Sequence, residues 1–201
     1  METAFKNVNI SRVVAVTLIP GFVAVLPALL FLHKNYPGIS SYLQQHSEIL
    51  ILLAFMVSYT AGTIIEDLGS FLEKIWCDKR VYAMNRAEKI KEKNETDLDN
   101  EEKLYTERWY KYLKLELESE KYKIGHRFIS NMVTRLKLEL SMGIALPLSA
   151  SGLWFLNEFI AFWILILYSI LAILISSYLI LLEAPKTAHS LDATRKTLLE
   201  S

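Results

Sequence analysis

Four stretches of this 201-residue chain contain no charged side chain, and each is rich in aliphatic and aromatic residues. They cover residues 13–32, 49–65, 140–156 and 159–182. A helix needs roughly 20 apolar residues to cross about 30 Å of hydrocarbon, so all four runs fall within the range of membrane spans. The charges are pooled between the runs, which is typical of membrane proteins. The pattern predicts an all-α integral membrane protein with four transmembrane helices.

Short connectors separate the spans within each pair. Pro37-Gly38 and Ser40-Ser41 predict a turn in the connector 33–48. Only Asn157-Glu158 separates the third run from the fourth, which predicts a tight antiparallel hairpin. The alternative is a single helix over 140–182, and it would place Glu158 in the middle of the bilayer at a cost of a few kcal/mol.

Lysine and arginine predict the orientation of the spans. The segment 66–140 carries sixteen of them, the first twelve residues carry two, the tail after residue 183 carries three, and the connector 33–48 carries one. Basic segments stay on the cytoplasmic side. We therefore expect a multi-pass membrane protein with both termini and the middle segment in the cytoplasm.

The segment 66–139 has the composition of a charged helical hairpin. It contains two glycines and no proline, and it is rich in Glu, Lys, Arg and Leu. Residues 94–100 are the one cluster of turn-forming residues. The second span is predicted to continue to about residue 93, and a second arm to run from about residue 101 into the third span. The predicted organisation is thus 1–65, 66–139, 140–182 and a tail, 183–201.

Basic and aromatic residues alternate on the second arm of this hairpin. Such mixtures stack bases and neutralise phosphates, so they predict a site for a nucleotide or short oligonucleotide. Nearby glutamates reduce the positive field. The alternative is a purely structural role, in which the arms pack on each other or on neighbouring subunits. The candidate ligand-binding residues are Arg108, Trp109, Lys111, Tyr112, Lys114, Lys121, Lys123 and Arg127.

The most specific motif lies where the second span ends. Gly62, Glu66, Gly69 and Glu73 recur at i, i+4, i+7 and i+11, which places them on one helix stripe. Small residues let a second helix approach closely. Two interpretations of the acids stay open: a salt bridge of Glu66 or Asp67 to Arg135, or an acidic ring at the cytoplasmic mouth of an oligomeric pore. The pore and gating candidates are Gly62, Thr63, Glu66, Asp67, Gly69, Glu73 and Arg135.

The chain lacks the residue sets that enzymes need. It has no glycine-rich phosphate loop, no nucleophile with a nearby base, and one cysteine, Cys77. We expect no enzyme activity, no cofactor and no metal site. A homo-oligomeric channel or membrane-permeabilising effector of three to six copies, gated through the hairpins, fits this composition best. The alternative is a membrane scaffold that recruits a cytosolic protein through the hairpin.

The plan of few spans, a charged cytoplasmic helical region and no catalytic set resembles the small membrane effectors of bacterial anti-phage systems. Together with the stripe from Gly62 to Glu73, it is most similar to the Hailong type, in which an oligonucleotide made by a nucleotidyltransferase controls a membrane channel. The resemblance implies a location in the bacterial inner membrane, abortive infection by membrane depolarisation and a nucleotide-type ligand. It assigns no family site to an individual residue.

Overall fold

The computed structural model describes residues 10–91, 103–105, 107–111, 123–156 and 160–200. In these ranges the chain is almost entirely helical and has no β-strand, in agreement with the predicted all-α class. Three five-residue π-helical segments, Val14–Leu18, Glu73–Cys77 and Leu179–Glu183, interrupt or join the α-helices. The α-helices are α1 Ile10–Val13, α2 Ile19–Asn35, α3 Pro37–Gln45, α4 Ser47–Leu72, α5 Asp78–Lys91, α6 Lys123–Trp154, α7 Phe162–Tyr178 and α8 Ala184–Glu200.

Three helical stretches of the described chain are long and apolar enough to cross a membrane: Val14–Asn35, Ser47–Ala87 and Phe162–Leu198. Their outward faces are apolar, and side chains such as Ile51 and Trp163 are 69% and 78% exposed. An apolar surface of this extent is compatible with lipid, because lipid tails impose no penalty on exposed Ile, Leu or Phe. The protein is therefore a membrane protein.

Most of the predicted third span, 140–156, lies within α6, which ends at Trp154 and is not among these three stretches. Serine and glycine dilute its apolar residues, for example at Ser141, Gly143 and Ser149. Those three residues are buried against the protein rather than exposed. Three candidate spanning helices are thus shown, and a fourth crossing at residues 140–156 stays a prediction.

The connector 33–48 is not the simple turn predicted from Pro37-Gly38. It forms the nine-residue helix α3, Pro37–Gln45. Proline suits the first position of a helix, because its fixed φ is close to the helical value and the backbone nitrogen at that position has no hydrogen-bond acceptor within the helix. The predicted breaks at 94–100 and at Asn157-Glu158 lie outside the described residues, but α6 ends at Trp154 and α7 begins at Phe162.

The chain divides into two compact units. The first comprises Met1–Ser70 and Lys137–Ile180, and the second comprises Phe71–Leu136 and Leu181–Ser201. The boundaries between the units fall at residues 70/71, 136/137 and 180/181. Each boundary lies inside a helical segment: α4, α6 and the π segment Leu179–Glu183, respectively.

Helices of the first unit pack closely at glycines. A Cβ on Gly21 would overlap the carbonyl oxygen of Ser58, and one on Gly62 would overlap that of Thr17, so the two backbones are in direct contact. Because the residue numbers run in opposite senses, the segment from Thr17 to Gly21 and α4 are antiparallel. Glycine is required at both positions because any side chain would push the helices apart.

The α6 part of the first unit contacts each of the other three long helices. A Cβ on Gly69 of α4 would lie 3.4 Å from Cβ of Leu140, and a Cβ on Gly152 would lie 2.9 Å from Cβ of Pro27 in α2. The hydroxyl of Tyr168 in α7 hydrogen-bonds to that of Ser149 at 3.0 Å. These contacts place α6 alongside α2, α4 and α7, with α7 folded back along it.

The predicted tail forms an ordered part of the second unit. Helix α8 buries one face, and its buried residues recur at the three- and four-residue spacing of a helix stripe. They contact α5, where Val81 is fully buried, and the preceding π segment, where Cys77 is fully buried. The buried positions of α8 are Ala184, Pro185, Thr187, Ala188, Leu191, Asp192 and Arg195.

Candidate functional site

Glu66 forms an ion pair within the first unit. Its Oε1 lies 2.9 Å from Nζ of Lys137, and each side chain is 25% exposed. The hydroxyl of Thr17 donates to Oε2 of Glu66 at 3.4 Å, and Nζ of Lys137 lies 3.5 Å from the hydroxyl of Ser70. Helices α4 and α6 and the π segment before α2 therefore meet at one half-buried polar cluster.

Arg135 is not the cation that pairs with Glu66, and this interpretation of the motif was wrong. Arg135 instead pairs with Glu183 at 3.0 Å, and Glu183 also accepts from Lys186 at 3.3 Å. The reason is helical geometry: residues 135 and 137 differ by about 200° around α6, so only one can face α4.

Asp67 differs from its neighbour Glu66. It is exposed, and it makes no hydrogen bond or ion pair with any residue that the structure describes. Thr60 and Thr63 precede it by seven and four residues, so the three share one stripe of α4. The threonine hydroxyls donate to carbonyl oxygens of their own helix, Thr60 to Met56 at 2.9 Å and Thr63 to Tyr59 at 2.8 Å. Their oxygens can still accept from water.

The glycines of the stripe serve contacts inside the chain. Gly62 is closed off by Thr17, and Gly69 by Leu140 and Ser141. The small residues therefore let other helices of the same chain approach closely, as predicted for such a stripe. Glu73 is half-buried in the second unit, where its charge acts on Tyr105 and Arg195.

A second polar cluster centres on Asp192 of α8. Its carboxylate accepts two hydrogen bonds from the guanidinium of Arg108, at 3.0 Å from Nε and 2.8 Å from Nη2. Asn85 of α5 donates to Oδ2 at 2.9 Å. Asp192 is 4% exposed, and a two-pronged pair to arginine with a further amide bond is the arrangement that makes a buried carboxylate tolerable.

A second arginine, Arg195, lies among aromatic residues next to the Arg108–Asp192 pair. The guanidinium of Arg195 lies 5.6 Å from the ring centre of Trp109, and Arg195 is 5% exposed. Tyr105 hydrogen-bonds to Asp78 at 3.2 Å and stacks edge-to-face with Tyr82 at 5.3 Å. Burial raises the pKa of Tyr105, and the charge of Asp78 raises it further. Burial likewise lowers the pKa of Arg195, with Tyr105 and Asp192 opposing the shift.

The structure separates the ligand candidates into four groups. Arg108 and Trp109 make the internal contacts just described, and Lys111 is exposed. Lys123 and Arg127 lie on α6, and their side chains are not described. Tyr112, Lys114 and Lys121 lie outside the described residues. The predicted basic surface is therefore partly internal: at least Arg108 already has an acidic partner.

Four important residues were missed from the sequence: Thr17, Lys137, Asp192 and Arg195. The difference of about 200° between Lys137 and Arg135 shows that only one of them can face Glu66, but not which one. Asp192 and Arg195 lie three residues apart on the apolar face of an amphipathic helix. An unpaired charge is costly there, so charged residues at these positions indicated buried polar contacts with partners elsewhere in the chain. Among the described residues no group of three or more His, Cys, Asp or Glu side chains could hold a metal ion.

Comparison with known proteins gives no further assignment. No family model, curated protein or solved structure matches this chain.

Proposed function

We propose that the protein is a homo-oligomeric ion channel of three to six copies, with the outward stripe Thr60–Thr63–Asp67 of α4 facing the pore. The observation that carries the proposal is the contrast between adjacent acids: Glu66 is paired inside the first unit, whereas Asp67 is exposed beside two threonines. An acid that pairs with no described residue, at the end of an apolar helix, needs water or a cation, and an axial pore supplies both.

The same proposal includes a fourth membrane crossing at α6. This helix is less apolar than the other three, but its serine and glycine face is buried against protein. A helix that neighbouring helices cover needs fewer lipid-compatible side chains, so its lower hydropathy agrees with a position inside the bundle. Four crossings keep the N-terminus, residues 66–139 and the tail on the cytoplasmic side, as the basic residues require.

Labelling of single cysteines tests this topology. The native Cys77 is first replaced, and cysteine is then introduced at Ser41 or Ser190, both of which are exposed. In intact cells, an impermeant maleimide is expected to label Ser41→Cys and to spare Ser190→Cys until the membrane is permeabilised. Labelling of Ser190→Cys from outside would exclude the four-span topology.

Ion flux from liposomes tests the channel itself. Purified protein in vesicles loaded with K⁺ is expected to release the ion, and mass photometry is expected to show several copies in each particle. Asp67→Asn should lower the flux, whereas Glu107→Gln, a change at an exposed acid of the second unit, should leave it unchanged. If vesicles that contain correctly inserted protein retain their K⁺, the channel would be excluded and the membrane scaffold favoured.

The Arg108–Asp192 pair is the regulatory element of this proposal. An anionic ligand, such as a nucleotide or short oligonucleotide, would compete with Asp192 for Arg108. By analogy with the Hailong-type effectors that the sequence resembles, release of this pair would raise the ion flux above the basal flux of the wild type and depolarise the membrane. Short oligonucleotides added to the outside of the K⁺-loaded vesicles test this step: a rise above the basal wild-type flux would support it, and an unchanged flux would contradict it.

A further inference from the structure

The first unit contains an apolar cavity between α2, α3 and α4. It has a volume of about 410 Å³, and its walls include Leu29, Leu30, Leu50, Ile51 and Ala54. Two of its three walls belong to helices that are apolar enough to span a membrane. The third wall is α3, the short helix between those two, which contributes Ile39 and Ser40.

One polar group interrupts the apolar lining. Nδ1 of His33 lies 2.6 Å from the hydroxyl of Ser40, and both residues line the cavity. This bond joins the end of α2 to α3 and leaves Nε2 of His33 to meet a further partner. The other lining residues are apolar, so the polar end of the cavity consists of His33 and Ser40.

We infer that this cavity binds a phospholipid, with an acyl chain between α2 and α4 and the phosphate beside His33 and Ser40. The volume lies within the range of ligand sites that have apolar walls and few polar groups. The surroundings of helices α2 and α4 supply this ligand class, since lipid is the solvent of an apolar span. The His33–Ser40 pair positions the head, because a phosphate there can accept a charge-assisted hydrogen bond from the ring of His33.

Native mass spectrometry of the detergent-purified protein tests the inference. The probes are phosphatidylglycerol and diacylglycerol with the same acyl chains, so that only the phosphate-containing head differs. Wild type is expected to bind phosphatidylglycerol about tenfold more tightly, which is the effect of one charge-assisted hydrogen bond. Equal binding of the two lipids would overturn the inference, since the polar end of the cavity would then recognise no head.

Two variants separate the cavity from general lipid contact. Ala54→Phe places a ring inside the cavity and is expected to abolish phosphatidylglycerol binding, whereas Leu52→Phe adds a ring on the same turn at an exposed position outside it. Equal loss in both variants would overturn the inference. The double variant His33→Ala/Ser40→Ala leaves the apolar walls intact, and it is expected to bind both lipids equally. A retained preference for phosphatidylglycerol would contradict the assigned head site. None of these outcomes depends on ion conduction.

Discussion

The carboxylate of Asp192 and the guanidinium of Arg108 form a two-pronged ion pair, at 2.8 and 3.0 Å, between residues 84 positions apart in the chain. Asp192 lies on a helix that the sequence presented as a tail, and Arg108 lies in a segment that the sequence presented as a ligand surface. The pair joins these two segments of the second unit. Its neighbours Asn85, Trp109 and Arg195 depend on the same placement.

Asp192→Ala is expected to destabilise the protein strongly. Loss of one partner of a buried pair costs about 3–5 kcal/mol, because the remaining charge stays buried and unpaired. Thermal unfolding in a mild detergent, followed by limited proteolysis of the second unit, measures the effect. Glu107→Gln is the control, since Glu107 is exposed. Equal melting of Asp192→Ala and wild type would show that this pair does not hold the second unit together.

Glu66 and Lys137 are expected to be energetically coupled. Each side chain is one-quarter exposed, so the coupling falls between that of a surface pair and that of a buried one, at about 1–2 kcal/mol. Glu66→Gln, Lys137→Gln and the double variant form a double-mutant cycle. A parallel cycle with Glu66→Gln and Arg135→Gln should give no coupling. Coupling to Arg135 in place of Lys137 would contradict the observed pairing.

The backbone contact between Gly21 and Ser58 predicts a sharp difference among glycines. Gly21→Ala should destabilise the first unit by about 1–3 kcal/mol or more, because the added methyl overlaps a backbone carbonyl that cannot move alone. Gly38→Ala is the matched control, since a Cβ there meets no atom within 4 Å. Alanine at position 38 should even stabilise α3 slightly. Melting temperatures that rank the two variants in the opposite order would exclude this helix contact.

Tyr105 predicts a loss of stability at alkaline pH. Burial raises its pKa above the usual 10.0, so between 10.0 and the folded-state value the unfolded chain binds fewer protons than the folded protein. Stability then falls as pH rises through this window, and it is fully present below it. Tyr105→Phe cannot ionise and should flatten the decline measured from pH 9 to pH 11 relative to wild type. The same slope in both proteins would show that Tyr105 does not cause it.

Residue patterns predicted the membrane assignment and the apolar helices because these depend on composition over about 20 residues. The predicted partner of Glu66 was wrong by two residues of α6, because each step along a helix turns the side-chain direction by about 100°. The sequence predicted that Glu66 and a basic residue of α6 lie at the same depth, but it did not predict which basic residue faces Glu66. Helix α3 was missed because Pro37-Gly38 also occurs in turns, and the choice depended on the residues that follow.

The second unit was predicted least well. Arg108 and Trp109 have the composition of a ligand surface, yet their partners Asp192 and Arg195 lie more than eighty residues later. Periodicity in the tail could have indicated a buried face, but no local pattern identifies which distant helix covers it. Long-range pairs of this kind follow from the fold and not from the composition of either segment.

Ion selectivity is the most direct test of the proposed pore. Reversal potentials are measured in planar bilayers under a KCl gradient for wild type, Asp67→Lys and Glu66→Gln. In a water-filled mouth each unit charge is worth about 1–4 kcal/mol to a passing ion. Wild type should therefore prefer K⁺, Asp67→Lys should shift the preference toward Cl⁻, and Glu66→Gln should lower stability with little shift. An unchanged reversal potential in a conducting Asp67→Lys channel would contradict the assignment of Asp67 to the pore.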